Sequence, residues 1–174
     1  MHLTYRTGNL QDKDDLQALG ILSYGQHQHA MTPENWNKYN SFMSAPDTFT
    51  YLMGSSTCFL CETDQKIIGM AFLVPHGHPT DMFEEHWSYI RMVGVHPDFG
   101  GHGIARKLTQ MCISYAIETN EKFVALHTSE FMHAARHIYE SIGFRVVREL
   151  KRYDKQYFIY LLDLHSYDHD HLPD

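Results

Sequence analysis

The chain has 174 residues, of which 43% are hydrophobic, and its formal net charge is −7 with histidine neutral. This length suits one domain that buries a full core without disulfides or metals, and the 14 scattered lysines and arginines argue against nucleic acid or an anionic membrane as a partner. No segment approaches the roughly 18 apolar residues of a membrane span, and the first residues do not resemble a signal peptide, so a cytoplasmic protein is expected.

The first third of the chain has the pattern of one strand followed by three helices. Residues 3–6 alternate like a short strand, and Asn9 or Asp12 is placed to cap the helix that follows. A proline at the first helical position predicts a second helix over residues 33–43, and Pro46 begins a third, short helix.

Two strand-like runs come next, over residues 57–63 and 66–75. Because only Asp64 and Gln65 separate them, they are expected to form a hairpin. The chain has three cysteines, too few for a disulfide framework: Cys58, Cys61 and Cys112. The first two have the spacing of a redox pair, but residues three apart on a strand point to opposite faces, so a structural strand is the favoured interpretation.

The second half alternates strands with helices. An irregular segment over residues 76–86 precedes the strand Trp87–Val95, a glycine-rich loop and an amphipathic helix from Ile104 to about Tyr115. The remaining elements are a buried strand over 123–128, a helix from Phe131 to Ile142 ended by Gly143, strands over 144–150 and 156–164, and a loose tail over 165–174.

This order predicts the fold class. Strand, loop, helix and strand form a crossover connection, so the strands 87–95 and 123–128 are expected to be parallel neighbours, flanked by antiparallel strands. The expected architecture is α/β, a mixed twisted sheet of about seven strands with helices on both faces, in a single domain over residues 1–164.

The loop between Val95 and the next helix is rich in glycine, at positions 100, 101 and 103. Glycine lets a backbone approach an anion closely, and the helix that follows directs its free N–H groups at the same point. The loop composition is therefore that of a phosphate site, although an ordinary strand-to-helix turn also fits it.

Two blocks, Val95–Ala105 and Ala135–Phe144, together resemble the GNAT superfamily of acyl-CoA-dependent N-acetyltransferases. The resemblance implies a GNAT-like fold and acetyl-CoA as co-substrate, with no metal. It implies pyrophosphate binding by Gly100, Gly101, His102, Gly103, Ile104, Ala105 and Arg106, and pantetheine pairing with the backbone of Val93, Gly94 and Val95.

The match departs from the family at two positions. Gly100 stands where the family has arginine or glutamine, so a side-chain donor to the phosphate is missing, and His102 and Arg106 either compensate or are solvated. Met132 stands where many relatives have an asparagine that contacts the cofactor.

Transfer of an acetyl group to an amine needs an acid for the leaving thiolate, donors for the oxyanion, and a base. Tyr139 matches the family tyrosine that acts as the general acid, although its spacing also fits a core aromatic residue. The resemblance assigns the oxyanion donors to backbone N–H groups around Val93–Val95. Glu85 and His86, with Glu84, are candidate bases, or they are solvated loop residues.

Period-two alternation places Tyr89, Arg91, Val93 and Val95 on one face of their strand, which makes Tyr89 and Arg91 candidate acceptor-binding residues. Arg91 either binds an acceptor carboxylate or pairs with an acid such as Glu85. Acceptor specificity is expected in the irregular segments 24–56 and 76–87.

The histidines do not have the spacing of a metal site. This holds for His76, His78 and His86 with Asp81, and for the tail histidines at 165, 169 and 171. The expected function is direct acetyl transfer from acetyl-CoA to a primary amine of a small molecule, amino acid or peptide, in a ternary complex. The alternatives are a non-catalytic acyl-CoA sensor and an enzyme for a longer acyl group, and the edge strands would support a homodimer.

Overall fold

The computed structural model describes residues 1–152 and 154–167, which form seven strands and five α-helices. The strands are β1 (Thr4–Thr7), β2 (Thr57–Thr63), β3 (Lys66–Val74), β4 (Ser88–Val95), β5 (Phe123–Ser129), β6 (Arg145–Arg152) and β7 (Lys155–Asp163). The helices are α1 (Lys13–Gly25), α2 (Pro33–Ser44), α3 (Pro46–Ser55), α4 (Ile104–Glu118) and α5 (His133–Ile142). Short 3-10 turns lie at Leu10–Asp12, Gln28–Ala30 and Pro97–Phe99.

The strands form one sheet in the order β1-β2-β3-β4-β5-β7-β6. β4 and β5 are parallel, through the pairs Ser88 with Val124 and Tyr89 with Ala125, whereas β1 with β2, β5 with β7, and β6 with β7 are antiparallel. The predicted mixed sheet and its parallel crossover pair are therefore confirmed. No helix in the described part of the chain is both long and apolar enough to cross a membrane.

The start of α2 is capped as the sequence indicated, whereas the predicted cap before α1 closes the 3-10 turn Leu10–Asp12, and Asp12 makes no side-chain cap to α1 itself. The Asn9 side chain accepts from the Gln11 N–H at 2.9 Å, and the Asp12 carboxylate accepts from the Asn9 N–H at 2.8 Å, which is a capping box. Thr32 caps α2 by accepting from the Asn35 N–H at 3.2 Å.

Residues group into two compact units. The first comprises Met1–Phe72 and Met92–Leu108, and the second comprises Leu73–Arg91 and the described residues from Thr109 onward. The earlier expectation of one domain over residues 1–164 stays a prediction.

The core of the first unit lies where α1, α2 and α3 pack with β2 and β3; its largest buried residues include Leu16, Met43, Phe49, Leu60, Met70 and Phe72. The hairpin between β2 and β3 turns through Asp64 and Gln65, both left-handed at φ 50° and 63°, as a two-residue turn requires. Cys58 and Cys61 are buried and free on β2, which confirms the strand interpretation.

The core of the second unit is a cluster of aromatic and aliphatic residues: Val74, Met82, Phe83, Trp87, Tyr89, Ala125 and Ile159. Tyr167 was assigned to a loose tail, but its side chain is only 7% exposed, because an aromatic ring gains free energy on leaving water. The rest of that tail, residues 168–174, lies outside the described residues.

β6 is the outer strand of the sheet, and most of its residues are exposed. It has an irregular register between Val146 and Arg148, where one residue of β6 has no counterpart on β7.

Candidate active site

The glycine-rich loop in the first unit ends directly at the first turn of α4. Gly101 and Gly103 are left-handed, with φ of 80° and 74°, whereas Gly100 is extended. A Cβ atom on Gly101 or Gly103 would meet no atom within 4 Å, so the space above this backbone is open. Open space, left-handed glycines and a 15-residue helix together give the geometry of an anion site.

His102 turns its ring back toward this loop. Its Nδ1 lies 3.1 Å from the carbonyl oxygens of Phe99 and Gly100, so Nδ1 has the hydrogen and donates. Nε2 of the neutral ring then has a lone pair and accepts, and His102 can donate to a phosphate only as the imidazolium. Of the two compensating residues predicted for Gly100, Arg106 is therefore the better donor.

β4 does not alternate along its whole length. Met92 is left-handed, with φ 57°, and packs against the core of the first unit. A left-handed residue rotates the following backbone, so the single face predicted for Tyr89, Arg91, Val93 and Val95 is wrong.

The backbone of β4 after this residue is bound by two side chains of α1. The Tyr24 hydroxyl donates to the Val93 carbonyl at 3.0 Å, and the Val95 N–H donates to the Ser23 hydroxyl at 3.1 Å. Gly94 allows this approach, since a Cβ there would lie 3.2 Å from Ser23 Oγ. The predicted pantetheine partners are therefore hydrogen-bonded within the protein itself.

A cavity of about 540 Å³ lies in the first unit where the chain passes from α1 to α2. Its lining includes Gln28, His29, Trp36 and Asn37, all within the segment 24–56 that was expected to determine acceptor specificity.

Tyr139 lies on α5 in the second unit, with its side chain 6% exposed. Its ring contacts Phe144 and Tyr160, at centroid distances of 6.0 and 6.4 Å. The Tyr160 hydroxyl donates to Glu140 at 2.7 Å and accepts from Arg136 at 3.0 Å. This packing holds the Tyr139 ring in place, which suits a core residue and a positioned acid equally.

The candidate bases Glu84, Glu85 and His86 are exposed. His86 Nε2 lies 3.6 Å from a Glu84 oxygen. The histidines of the same segment have separate partners, since His76 Nδ1 lies 3.0 Å from the Glu121 carboxylate and His78 Nδ1 lies 3.2 Å from the Pro75 carbonyl. In the described ranges, no three metal-ligating side chains form a group that could hold an ion.

Sequence reasoning missed His127, a residue of β5 that lies between the rings of Phe83 and Tyr157 at 6.0 and 5.8 Å. Its Nδ1 is buried and has no hydrogen-bond partner in the described part of the chain. Burial, together with the positive charges of Arg152 and Arg91, lowers the pKa of His127 to about 4, so the imidazole is neutral at pH 7.

Arg91 is half-buried and has no ion pair or hydrogen bond to any described residue, so the predicted partner Glu85 does not bind it. Asp81 is already engaged, because its carboxylate lies 3.4 Å from Arg152 Nη2 and its carbonyl accepts from Arg148.

The sequence signal available for His127 was a lone polar residue in an apolar run. This signal does not identify its partners, because they are distant in sequence.

Comparison with known proteins identifies the family to which the chain is similar. Residues 22–144 match the profile of the acetyltransferase (GNAT) family. Human N-acetyltransferase 8B is 27% identical over 115 residues, which are 63% of this chain and 50% of that protein. The chain spans about half, or less, of the length of the curated relatives it matches.

Solved structures share the fold. PaiA N-acetyltransferase from Thermoplasma acidophilum, in complex with coenzyme A, superposes with a TM-score of 0.76 at 12% identity, over 94% of this chain and 99% of that one. The structure of yncA from Salmonella typhimurium, with acetyl-CoA, has a TM-score of 0.63 at 21% identity and covers 99% and 98% of the two chains.

Proposed function

The chain belongs to the GNAT acetyltransferase family, and from this premise we propose that it transfers the acetyl group of acetyl-CoA directly to a primary amine. The observation that supports this most strongly is the loop at 100–103, whose left-handed glycines leave open space at the start of α4. Relatives with the same fold contain coenzyme A or acetyl-CoA in their structures.

In this proposal the backbone of residues 100–106 binds the pyrophosphate, and the backbone of Val93–Val95 pairs with pantetheine. The Val95 N–H is bound by Ser23, so pantetheine binding requires that hydroxyl to shift. The Val93 carbonyl accepts one hydrogen bond from Tyr24 and retains a second lone pair.

In the proposed reaction the amine of the acceptor is the nucleophile. Its nitrogen attacks the thioester carbon, the carbon–sulfur bond breaks, and the thiolate takes a proton from the Tyr139 hydroxyl while the amine loses one. Glu85 or His86, directly or through water, receives the amine proton, and Tyr89 and Arg91 contact the acceptor.

A covalent cysteine intermediate does not suit this chain. Burial raises the pKa of Cys58 to about 12 and raises that of Cys61 as well, so neither forms the thiolate that such a step needs. Cys112 is also fully buried. This supports the proposed transfer within a ternary complex.

The test measures coenzyme A release from acetyl-CoA against a panel of amines, with a reagent that detects free thiols. Because all three cysteines are buried, the folded protein contributes little background. Release that depends on an amine supports the proposal. Stabilisation by acetyl-CoA with no release of coenzyme A for any amine would instead favour an acyl-CoA sensor. Faster release from propionyl- or succinyl-CoA would favour an enzyme that transfers a longer acyl group.

A loop variant tests the location of the cofactor. Gly103→Val places a β-branched side chain at φ 74° and fills the open space, so coenzyme A binding measured by calorimetry should be lost. Gly54→Val is the matched control, because Gly54 is exposed on α3 with open space around it and no left-handed φ. Retained binding in a folded Gly103→Val protein would mean that the phosphates bind elsewhere.

A further inference from the structure

Arg91, in the middle of β4, has no ion pair or hydrogen bond to any residue that the structure describes. Arg91 and His127 each lie two residues beyond the paired residues Tyr89 and Ala125 of the parallel strands β4 and β5. The Arg91 cluster, defined as Arg91, His127, Asp81 and Arg152, has two positive charges and one negative charge, since His127 is neutral. Asp81 and Arg152 form an ion pair with each other, at 3.4 Å. Arg91 is therefore the cation of this cluster that no described residue compensates, in a chain whose overall charge is −7.

A half-buried guanidinium without a partner is unfavourable, because it loses hydration and gains no hydrogen bond in return. A second group in the cluster is also unsatisfied, since the buried Nδ1 of His127 has no partner among the described residues. Buried polar atoms without partners are rare in folded proteins and point to a missing ligand or a functional role.

The surroundings limit what the missing group can be. Phe83 and Tyr89 stack at a centroid distance of 4.4 Å beside His127, and both rings are buried, so the cluster lies against an apolar wall. An ion pair beside such a wall is screened less by water than one on an open surface. A planar anion with two oxygens matches the fork of the Arg91 guanidinium.

We propose that the Arg91 cluster binds a carboxylate of the acceptor, so that the substrate is a small molecule with both an amine and a carboxylate, as in an amino acid. Arg91 is then the specificity-determining residue. This inference rests on the proposed function, because it identifies the acceptor of that reaction. Polyamines are poor substrates, since their additional positive charges repel Arg91.

The first test compares amino acids with the amines that remain when the carboxylate is removed: leucine with 3-methylbutylamine, phenylalanine with 2-phenylethylamine, and lysine with 1,5-diaminopentane. Each pair shares a side chain and differs in the carboxylate alone. At saturating acetyl-CoA, kcat/KM is expected to be about 10- to 100-fold higher for the amino acid, the range of a charge-assisted hydrogen bond. Equal values within the pairs, or a preference for the amines, would overturn the inference.

The second test changes Arg91. Arg91→Gln should raise the KM for the preferred amino acid about 10- to 100-fold and leave the paired amine unaffected, and Arg91→Lys should fall between them because it keeps the charge without the fork. Arg145→Gln, on the exposed strand β6, is the matched control. An equal loss for amino acid and amine would assign Arg91 a structural role.

A binding test does not depend on turnover. With coenzyme A present, the pKa of His127, followed by NMR of its imidazole, should rise when leucine or phenylalanine binds, because the carboxylate offsets the charge of Arg91. The paired amines should not raise it. If no amine is acetylated, the proposed function fails, but this titration still tests the inference. A His127 pKa that does not rise with any amino acid would contradict the inference.

Discussion

In the proposed complex, the Ser23 hydroxyl and the pantetheine of coenzyme A compete for the Val95 N–H of β4. Replacing Ser23 by alanine tests this competition. Ser23 is 7% exposed, and its hydroxyl is the acceptor for the Val95 N–H at 3.1 Å. Removing that hydroxyl leaves a part-buried N–H without this partner, which costs about 1–2 kcal/mol of the free energy of unfolding in the protein without coenzyme A.

This loss of stability should be absent when coenzyme A is bound. If pantetheine accepts the Val95 N–H, the bound state no longer needs Ser23, so the variant and the parent are equally stable with coenzyme A. By linkage, the affinity of Ser23→Ala for coenzyme A should rise about 5- to 30-fold, the equivalent of 1–2 kcal/mol. Urea unfolding with and without coenzyme A gives the two free energies, and calorimetry gives the affinity.

Ser55→Ala is the matched control, because the Ser55 hydroxyl donates to the Tyr51 carbonyl on the surface of α3. It should change neither quantity by more than a few tenths of a kcal/mol, about the effect of an ordinary surface substitution. An equal loss of stability in both states, with unchanged or weaker coenzyme A binding in Ser23→Ala, would refute the reasoning: the Val95 N–H would not be a pantetheine contact.

Two further predictions concern the acid and a surface ion pair. Tyr139→Phe should lower kcat by about 100-fold or more while coenzyme A affinity stays nearly constant, because the hydroxyl acts in the transition state; unchanged turnover in steady-state assays would remove Tyr139 from this role. Arg6 holds Asp12 by two hydrogen bonds of 2.9 Å and lowers the pKa of that carboxyl, a contribution that is complete above the unfolded value of about 3.9 and is lost as the pH falls through the folded value. Arg6 also pairs with Glu62 at 2.9 Å, so Arg6→Gln removes both pairs and should cost about 1 kcal/mol at pH 7. Chemical denaturation should show this cost falling as the pH drops below about 3.9, and a cost that stays constant would show that the pairs contribute nothing through charge.

Most of the fold could be predicted from the sequence because its signals are local. Asn9, which caps the 3-10 turn before α1, and Thr32, which caps α2, act on N–H groups two or three positions away, and the turn at Asp64 and Gln65 joins adjacent strands. The crossover from β4 to β5 follows from element order and a general rule of handedness. Such features need only short-range geometry and periodicity.

The candidate site was harder to predict from the sequence, because its contacts join residues that lie far apart along the chain. Alternation along β4 could not reveal that Met92 is left-handed, since methionine has no preference for that region. Ser23 contacts Val95 across 72 positions, and Arg152 reaches Asp81 across 71. A pattern within one element has no information about which side chains of another element will bind it.

The outer strand β6 has a consequence for self-association. Its sequence, Arg-Val-Val-Arg-Glu-Leu-Lys-Arg, exposes unpaired backbone groups and both Val146 and Val147, the features from which strand-to-strand polymers grow. Four basic side chains on eight residues oppose this, since a second copy docking edge to edge would bring like charges together. The bulge after Val146 also disrupts the flat edge that a docking strand needs. A dimer built by continuing the sheet is therefore disfavoured at this edge, and salt, by screening the repulsion, should make the protein more prone to aggregate there.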